Sequence, residues 1–359
     1  AELARTYMLT ASYEKSIEIA ERVLLPAEQL ELVPTVVDTL ITRATALGSL
    51  GRPKEGVALL QGAIELAEDY DLPQTSSRAL NNLGVILGPE DAKAEDEANQ
   101  RLYEHAKRVG DTARILDGQN TVALQKMANG DLEGAVELLR GADVSEMSGQ
   151  WPAVFGFWGA FTEALLTGEP RFWDEAEEHL TFWDDSTDPQ VMGLLAGFRT
   201  WTNVYQGNNE GALKAAATTE WDPPFPFRLH GAIHAAAALE NSMELERARS
   251  ELDGQSGRGR RIKGLRLQSE AAAASLAGDQ SEATRLFSAA EELWEQAATP
   301  LELTLLRATF ARMVGQADPA AAQASEAAYR WLADSKSVCL LELLADGLPE
   351  ASNPQAASG

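Results

Sequence analysis

"LGRPKEGVALLQGA", Leu50 to Ala63, decides the fold. Two glycines, Gly51 and Gly56, bracket four residues that include Lys54. A loop that cradles phosphate needs Lys-Ser or Lys-Thr directly after its second glycine, and a strand before it. Here Val57 and Ala58 follow Gly56, and the preceding "ATALGSL" reads as helix. The stretch therefore reads as a turn between two helices. Gly51 ends the first in the left-handed conformation that glycine tolerates. Pro53 falls at an early helical position, where its missing N–H costs nothing. Beyond it, Val57, Leu60, Ile64 and Ala67 recur at helical spacing and mark one buried face.

The same frame returns along the chain. "NGDLEGAVELLRGA" runs from Asn129 to Ala142, "QGNNEGALKAAATT" starts at Gln206, and "AGDQSEATRLFSAA" starts at Ala277. "VGQADPAAAQASEAA", from Val314, is a looser copy. Each has a glycine, a few polar residues and then a small residue. A larger residue follows four positions on and a small one three later, as in Ala283, Phe287 and Ala290. Small residues let two helices approach closely, and Phe287 fills the gap. An apolar helix precedes each copy, whereas alternating strand patterns are nearly absent and no βαβ unit is found. The reading is all-α, with helical hairpins turning near Ala11, Gly51, Pro89, Gly130, Gly168, Gly207, Asn241 and Gly278, and a degenerate ninth near Gly315.

These residues resemble the tetratricopeptide repeat (TPR), and "ALNNLG", Ala79 to Gly84, looks like its first helix. The resemblance implies a right-handed α-α superhelix of about eight or nine hairpins over residues 1–349, with a disordered tail at 350–359. More narrowly, "ELARTYMLTASYEKSIEIAERVL" and "GDQSEATRLFSAAEELWEQAATPLELTLLRATFARMVG" are similar to C-terminal TPR arrays of large bacterial signalling proteins. Those proteins join a class III nucleotide cyclase or a LuxR-type regulator to a P-loop ATPase. The opening "AELARTYMLT" reads as if inside a helix, so the chain is expected to be a piece of a longer protein. The implied role is a non-catalytic scaffold, regulatory or sensory, holding a protein or peptide in its groove or docking on cyclase or ATPase modules. Two alternatives stay open: a small-molecule sensor with an aromatic pocket, and a free-standing interaction scaffold. No catalytic motif or cofactor is expected.

Composition narrows the partners. Thirty Lys and Arg stand against 55 Asp and Glu, a formal net charge of −25. Such a chain repels nucleic-acid phosphate and anionic membrane surfaces. One cysteine, Cys339, rules out an intrachain disulfide and fits a reducing, cytoplasmic setting. No apolar run reaches membrane-spanning length.

Several groups need weighing. His230 and His234 share a helix face at metal-pair spacing, but no third ligand is evident, so no metal site is expected. Cys339, in "SVCLLELL", reads as a buried, inert thiol. "RGRRIKGLR" is the one basic cluster, and Arg258, Arg260, Arg261, Lys263 and Arg266 form a possible docking patch after a flexible Gly/Ser loop. Fifteen of the 24 aromatics lie between Trp151 and Phe227, as core packing or as an apolar pocket. In TPR arrays the first helix of each hairpin lines the concave groove. Counting back from each turn, the matching positions are Arg78, Asn81, Asp117, Asn120, Phe155, Trp158 and Trp201, which would take the groove from polar to aromatic.

Overall fold

A computed structural model describes residues 1–144, 149–219, 225–255 and 258–349. The 350–359 tail and Trp221 lie outside the described residues, as do two residues of the Gly/Ser loop. Among the described residues every regular element is helical, so the chain is all-α.

In order come α1 (Glu2–Leu9), α2 (Tyr13–Gln29), α3 (Val33–Ser49), α4 (Pro53–Asp69), α5 (Pro73–Leu87), α6 (Ala92–Val109), α7 (Thr112–Ala128) and α8 (Leu132–Arg140). There follow α9 (Trp151–Thr167), α10 (Pro170–Leu180), α11 (Pro189–Tyr205), α12 (Asn209–Ala216), α13 (Phe227–Ala238) and α14 (Ser242–Gly254). The last are α15 (Arg260–Leu276), α16 (Gln280–Glu295), α17 (Pro300–Val314), α18 (Pro319–Ser335) and α19 (Val338–Leu343), with short 3-10 turns at Thr181–Trp183 and Ala345–Gly347. This is a run of helix–turn–helix pairs closed by a short lone helix.

The turns are where the sequence places them, for a local reason. Gly51 has φ 76°, in the left-handed region, and its N–H donates to Gly48 O while Arg52 N–H donates to Leu47 O. That double bond closes the last turn of α3. Ala11, Gly130, Gly168, Gly207, Gly278 and Gly315 also take positive φ. Near Asn241 the left-handed residue is Glu240 (φ 51°). In four of these turns an Asp or Asn follows and caps the next helix. Asp131 accepts from Gly134 N, Asn208 from Gly211 N, Asn241 from Glu244 N and Asp279 from Glu282 N. The Pro89 turn differs: Gly88 stays right-handed and Asp91 caps α6 alone.

The chain packs as two compact units, 1–118 with 256–262, and 119–255 with 263 onward. The divisions fall inside α7, between α14 and α15, and inside α15. In the first unit each of α1 to α5 packs on the next, and α3 also packs on both α1 and α5. Its core holds Val37, Ile41, Leu60, Ile64, Leu80, Leu83 and Leu102. A Cβ on Gly56 would sit 2.8 Å from Ala44 O, so α4 lies almost directly on the α3 backbone.

In the second unit, α13 is buried all round, residues 228 to 237 without a break. Phe287, wholly buried, stacks on Phe310 of α17 with centroids 5.0 Å apart. It thus fills the gap to the following helix. One further feature departs from a row of hairpins touching only their neighbours: α19 packs on α9 and α11.

Candidate functional site

Three helices of the first unit, α3, α5 and the start of α7, carry a connected row of polar side chains. Helical spacing puts Asp38, Thr42 and Thr45 on one face of α3, and Arg78, Asn81 and Asn82 on one face of α5. Arg78 reaches across to form an ion pair with Asp38 and donates to Thr42 Oγ1 at 2.7 Å. Asn82 Nδ2 donates to Thr45 Oγ1 at 2.9 Å. Arg114 on α7 donates to Asn81 Oδ1 at 3.4 Å and to Asp117 Oδ2 at 3.1 Å. Desolvation pulls the Arg78 guanidinium below its usual pKa, opposed by Asp38. It stays a cation at neutral pH.

Arg78, Asn81 and Asp117 of the sequence reading are therefore brought together on this row. Its other members, Asp38, Thr42, Thr45, Asn82 and Arg114, were not singled out from sequence; the repeated helical register of the A-type helices was the signal that could have found them. The row is half-buried: the side chains of Arg114 and Asp117 are each 35% exposed. Its donors and acceptors can be shared with a ligand without a large desolvation cost.

Asn120 lies further along α7, within the second unit, and its buried Oδ1 has no hydrogen-bond partner. Phe155, Trp158 and Trp201 are interior, 2%, 8% and 2% exposed. Trp158 meets Phe161 and Phe198 edge to face, Phe157 stacks on Phe198 at 5.1 Å, and Trp201 Nε1 donates to Phe227 O. These rings satisfy one another in the core.

The basic cluster is divided between the units. Arg260 and Arg261 sit with the first, on the α5–α6 turn. Arg260 pairs with Glu90 at 3.0 Å and Asp91 at 2.9 Å. Arg261, only 6% exposed, donates to Gly88 O at 2.7 Å and pairs with Glu95 at 3.1 Å. In the second unit Arg266 binds Leu252 O and pairs with Asp253. Arg258 and Lys263 are exposed.

His230 and His234 are buried, 1% and 3% exposed. The His230 ring packs edge-on against Trp201 and Trp294. His234 Nδ1 lies 3.4 Å from Thr309 Oγ1. Burial pushes the Cys339 thiol up to about 12, so it stays protonated, against Tyr205 O at 3.2 Å. Among the described residues no group of three or more His, Cys, Asp or Glu is placed to hold a metal ion, and no helix is long and apolar enough to cross a membrane.

No family model matches the chain, and a search of curated proteins finds no match.

Proposed function

We propose that the chain is a non-catalytic binding scaffold of the TPR kind, a right-handed superhelix of stacked hairpins that holds a protein or peptide segment. The observation that carries this reading is the row Asp38–Arg78–Asn81–Arg114–Asp117. It sets out donors and acceptors at half-buried positions on successive first helices of the hairpins. An extended polypeptide presents unpaired N–H and C=O groups at a regular spacing, and such a row meets them in kind.

The test is a library of immobilised extended peptides, probed with the full chain and with an Asn81→Ala/Arg114→Ala variant. The expected result is that bound peptides lose at least tenfold in affinity in the variant, with the helical circular dichroism unchanged. Absence of any bound peptide, or equal binding by both chains, overturns the reading.

The scaffold is further proposed to be a cytoplasmic regulatory region of a bacterial signalling protein with cyclase or ATPase modules. This rests on the resemblance of "ELARTYMLTASYEKSIEIAERVL" and of the segment from Gly278. Reading the gene upstream of Ala1 tests it. An open frame that runs into such a module supports the proposal, and a start codon at Ala1 refutes it.

A further inference from the structure

A groove of about 690 Å³ runs between α16 and α18 of the second unit, and Arg307 of α17 reaches into its lining. Helical spacing builds the two walls. Glu292 and Glu295 stand one turn apart on α16. Ala320, Ala327 and Asp334 recur every second turn of α18, so one stripe of that helix faces the groove. The alanines leave the space open. Trp331, one turn before Asp334, adds an aromatic ring to the same wall. That ring is backed by the Gly130 turn, where a Cβ on Gly130 would lie 3.3 Å from the indole.

The charges in the groove do not balance. Glu291 and Glu295 both pair with Arg307, at 2.6 and 2.7 Å. Glu292 and Asp334, one on each wall, take part in no ion pair among the described residues. The other cation of the lining, Arg330, has its Nε on Glu326 O of its own helix at 3.4 Å. Four carboxylates against two guanidiniums leave the groove acidic. A second copy of this chain is a poor occupant, because it brings the same net charge of −25 and is repelled. Charge complementarity asks for a basic one.

We propose that this groove docks a basic peptide segment of a partner protein. A lysine or arginine of that segment lays its stem along Ala327 and Trp331 and sets its charge between Glu292 and Asp334. The apolar stem covers the alanine and the ring, the ring face attracts the cation, and the two carboxylates pair with it. From Ala320 to Asp334 the wall of α18 runs for about 20 Å at the helical rise. That length seats several residues of a chain, where a lone cation would fill one end. The site is separate from the polar row of the first unit.

Fluorescence anisotropy of a labelled peptide of alternating lysine and alanine, titrated with the full chain, tests this. Saturable binding is expected, and Glu292→Gln/Asp334→Asn is expected to weaken it about tenfold with the helical circular dichroism unchanged. Trp331→Leu keeps bulk against the Gly130 turn and is expected to weaken it about two- to fivefold. Asp174→Asn/Asp185→Asn removes the same charge from exposed positions elsewhere on the second unit, and is expected to change it less than about twofold. Asn81→Ala/Arg114→Ala, in the first unit, should leave it unchanged, so this proposal and the scaffold reading fail separately. Equal losses in the groove variant and the Asp174/Asp185 variant would assign the binding to overall charge and overturn the proposal. Absence of binding would overturn it, and so would displacement of the peptide by spermidine at the same concentration, which would make the groove a polyamine site.

Discussion

Arg78 on α5 and Asp38 on α3, forty residues apart in sequence, are joined as an ion pair, and Thr42 receives the other arm of the same guanidinium. The side chains of the pair are 15% and 24% exposed, so each charge depends on the other for part of its solvation. Removing Arg78 leaves a half-buried carboxylate without its partner. Arg78→Ala is expected to destabilise the first unit by about 1–3 kcal/mol. Arg78→Lys recovers only part of that, because an ammonium lacks the two-armed fork. Amide exchange in α3 and α5 reports the loss; unchanged exchange in both helices would show the pair to be dispensable.

The left-handed turns give a prediction with two signs. Gly51 has φ 76°. Gly51→Ala puts a Cβ into that conformation, at a cost of about 1–2 kcal/mol. Ala11 already bears that strain at φ 56° on the surface. Ala11→Gly relieves it, and after the entropy cost of glycine a gain of about 0.5 kcal/mol is expected. Urea midpoints of the two variants should move in opposite directions. Movement in the same direction would mean that the turns are not held by φ alone.

The contrast between these turns and the rest of the molecule shows what sequence can carry. A glycine followed by Asp or Asn is a complete local instruction: left-handed end, then capped start. Gly130–Asp131, Gly207–Asn208 and Gly278–Asp279 were therefore legible. So was the face of α5 that carries Arg78 and Asn81, because helical spacing fixes it. Their partners were not, since Asp38 and Arg114 lie 33 to 40 residues away and only stacking chooses them. Arg260 and Arg261 are a stronger case. They read as an open basic patch, and nothing near them in sequence points to Glu90 or Glu95, at least 166 residues earlier. The aromatic stretch was open between pocket and core, and the mutual contacts of Phe157, Trp158, Phe161 and Phe198 depend on how α9 meets α11.

His234 makes the second unit acid-sensitive. Burial, with smaller effects from Arg312 and His230, pushes its pKa from 6.5 down to about 3. Thr309 and the Trp201 ring face it, and Arg312 has Asp346 and Glu240 near. The unfolded chain takes up a proton near pH 6.5, whereas the folded chain resists to about pH 3. The unfolded state therefore binds more protons in this window. Stability is full above pH 6.5 and falls as pH drops toward 3, by about 1.4 kcal/mol per pH unit well inside the window. His234→Gln should flatten that slope in urea titrations between pH 6.5 and 4.5. An unchanged slope would assign the acid sensitivity to other groups.

The last prediction uses the position of the tryptophans. All eight lie between Trp151 and Trp331, so their emission reports the second unit alone. Phe287 is wholly buried on α16, stacked on Phe310, and Trp294 lies seven residues on along the same face, its indole against Gly264. Phe287→Ala removes a ring that α16 and α17 cannot close over, because both are fixed by their own turns. The loss is expected at about 3–5 kcal/mol. Phe287→Leu keeps most of the volume and should cost far less, under about 1.5 kcal/mol. Tryptophan emission should therefore shift to the red at clearly lower urea in the alanine variant and close to the wild-type midpoint in the leucine variant. Equal midpoints for the two would show that the space can be filled by relaxation. The stacked pair would then be a consequence of the hairpin packing and not one of its causes.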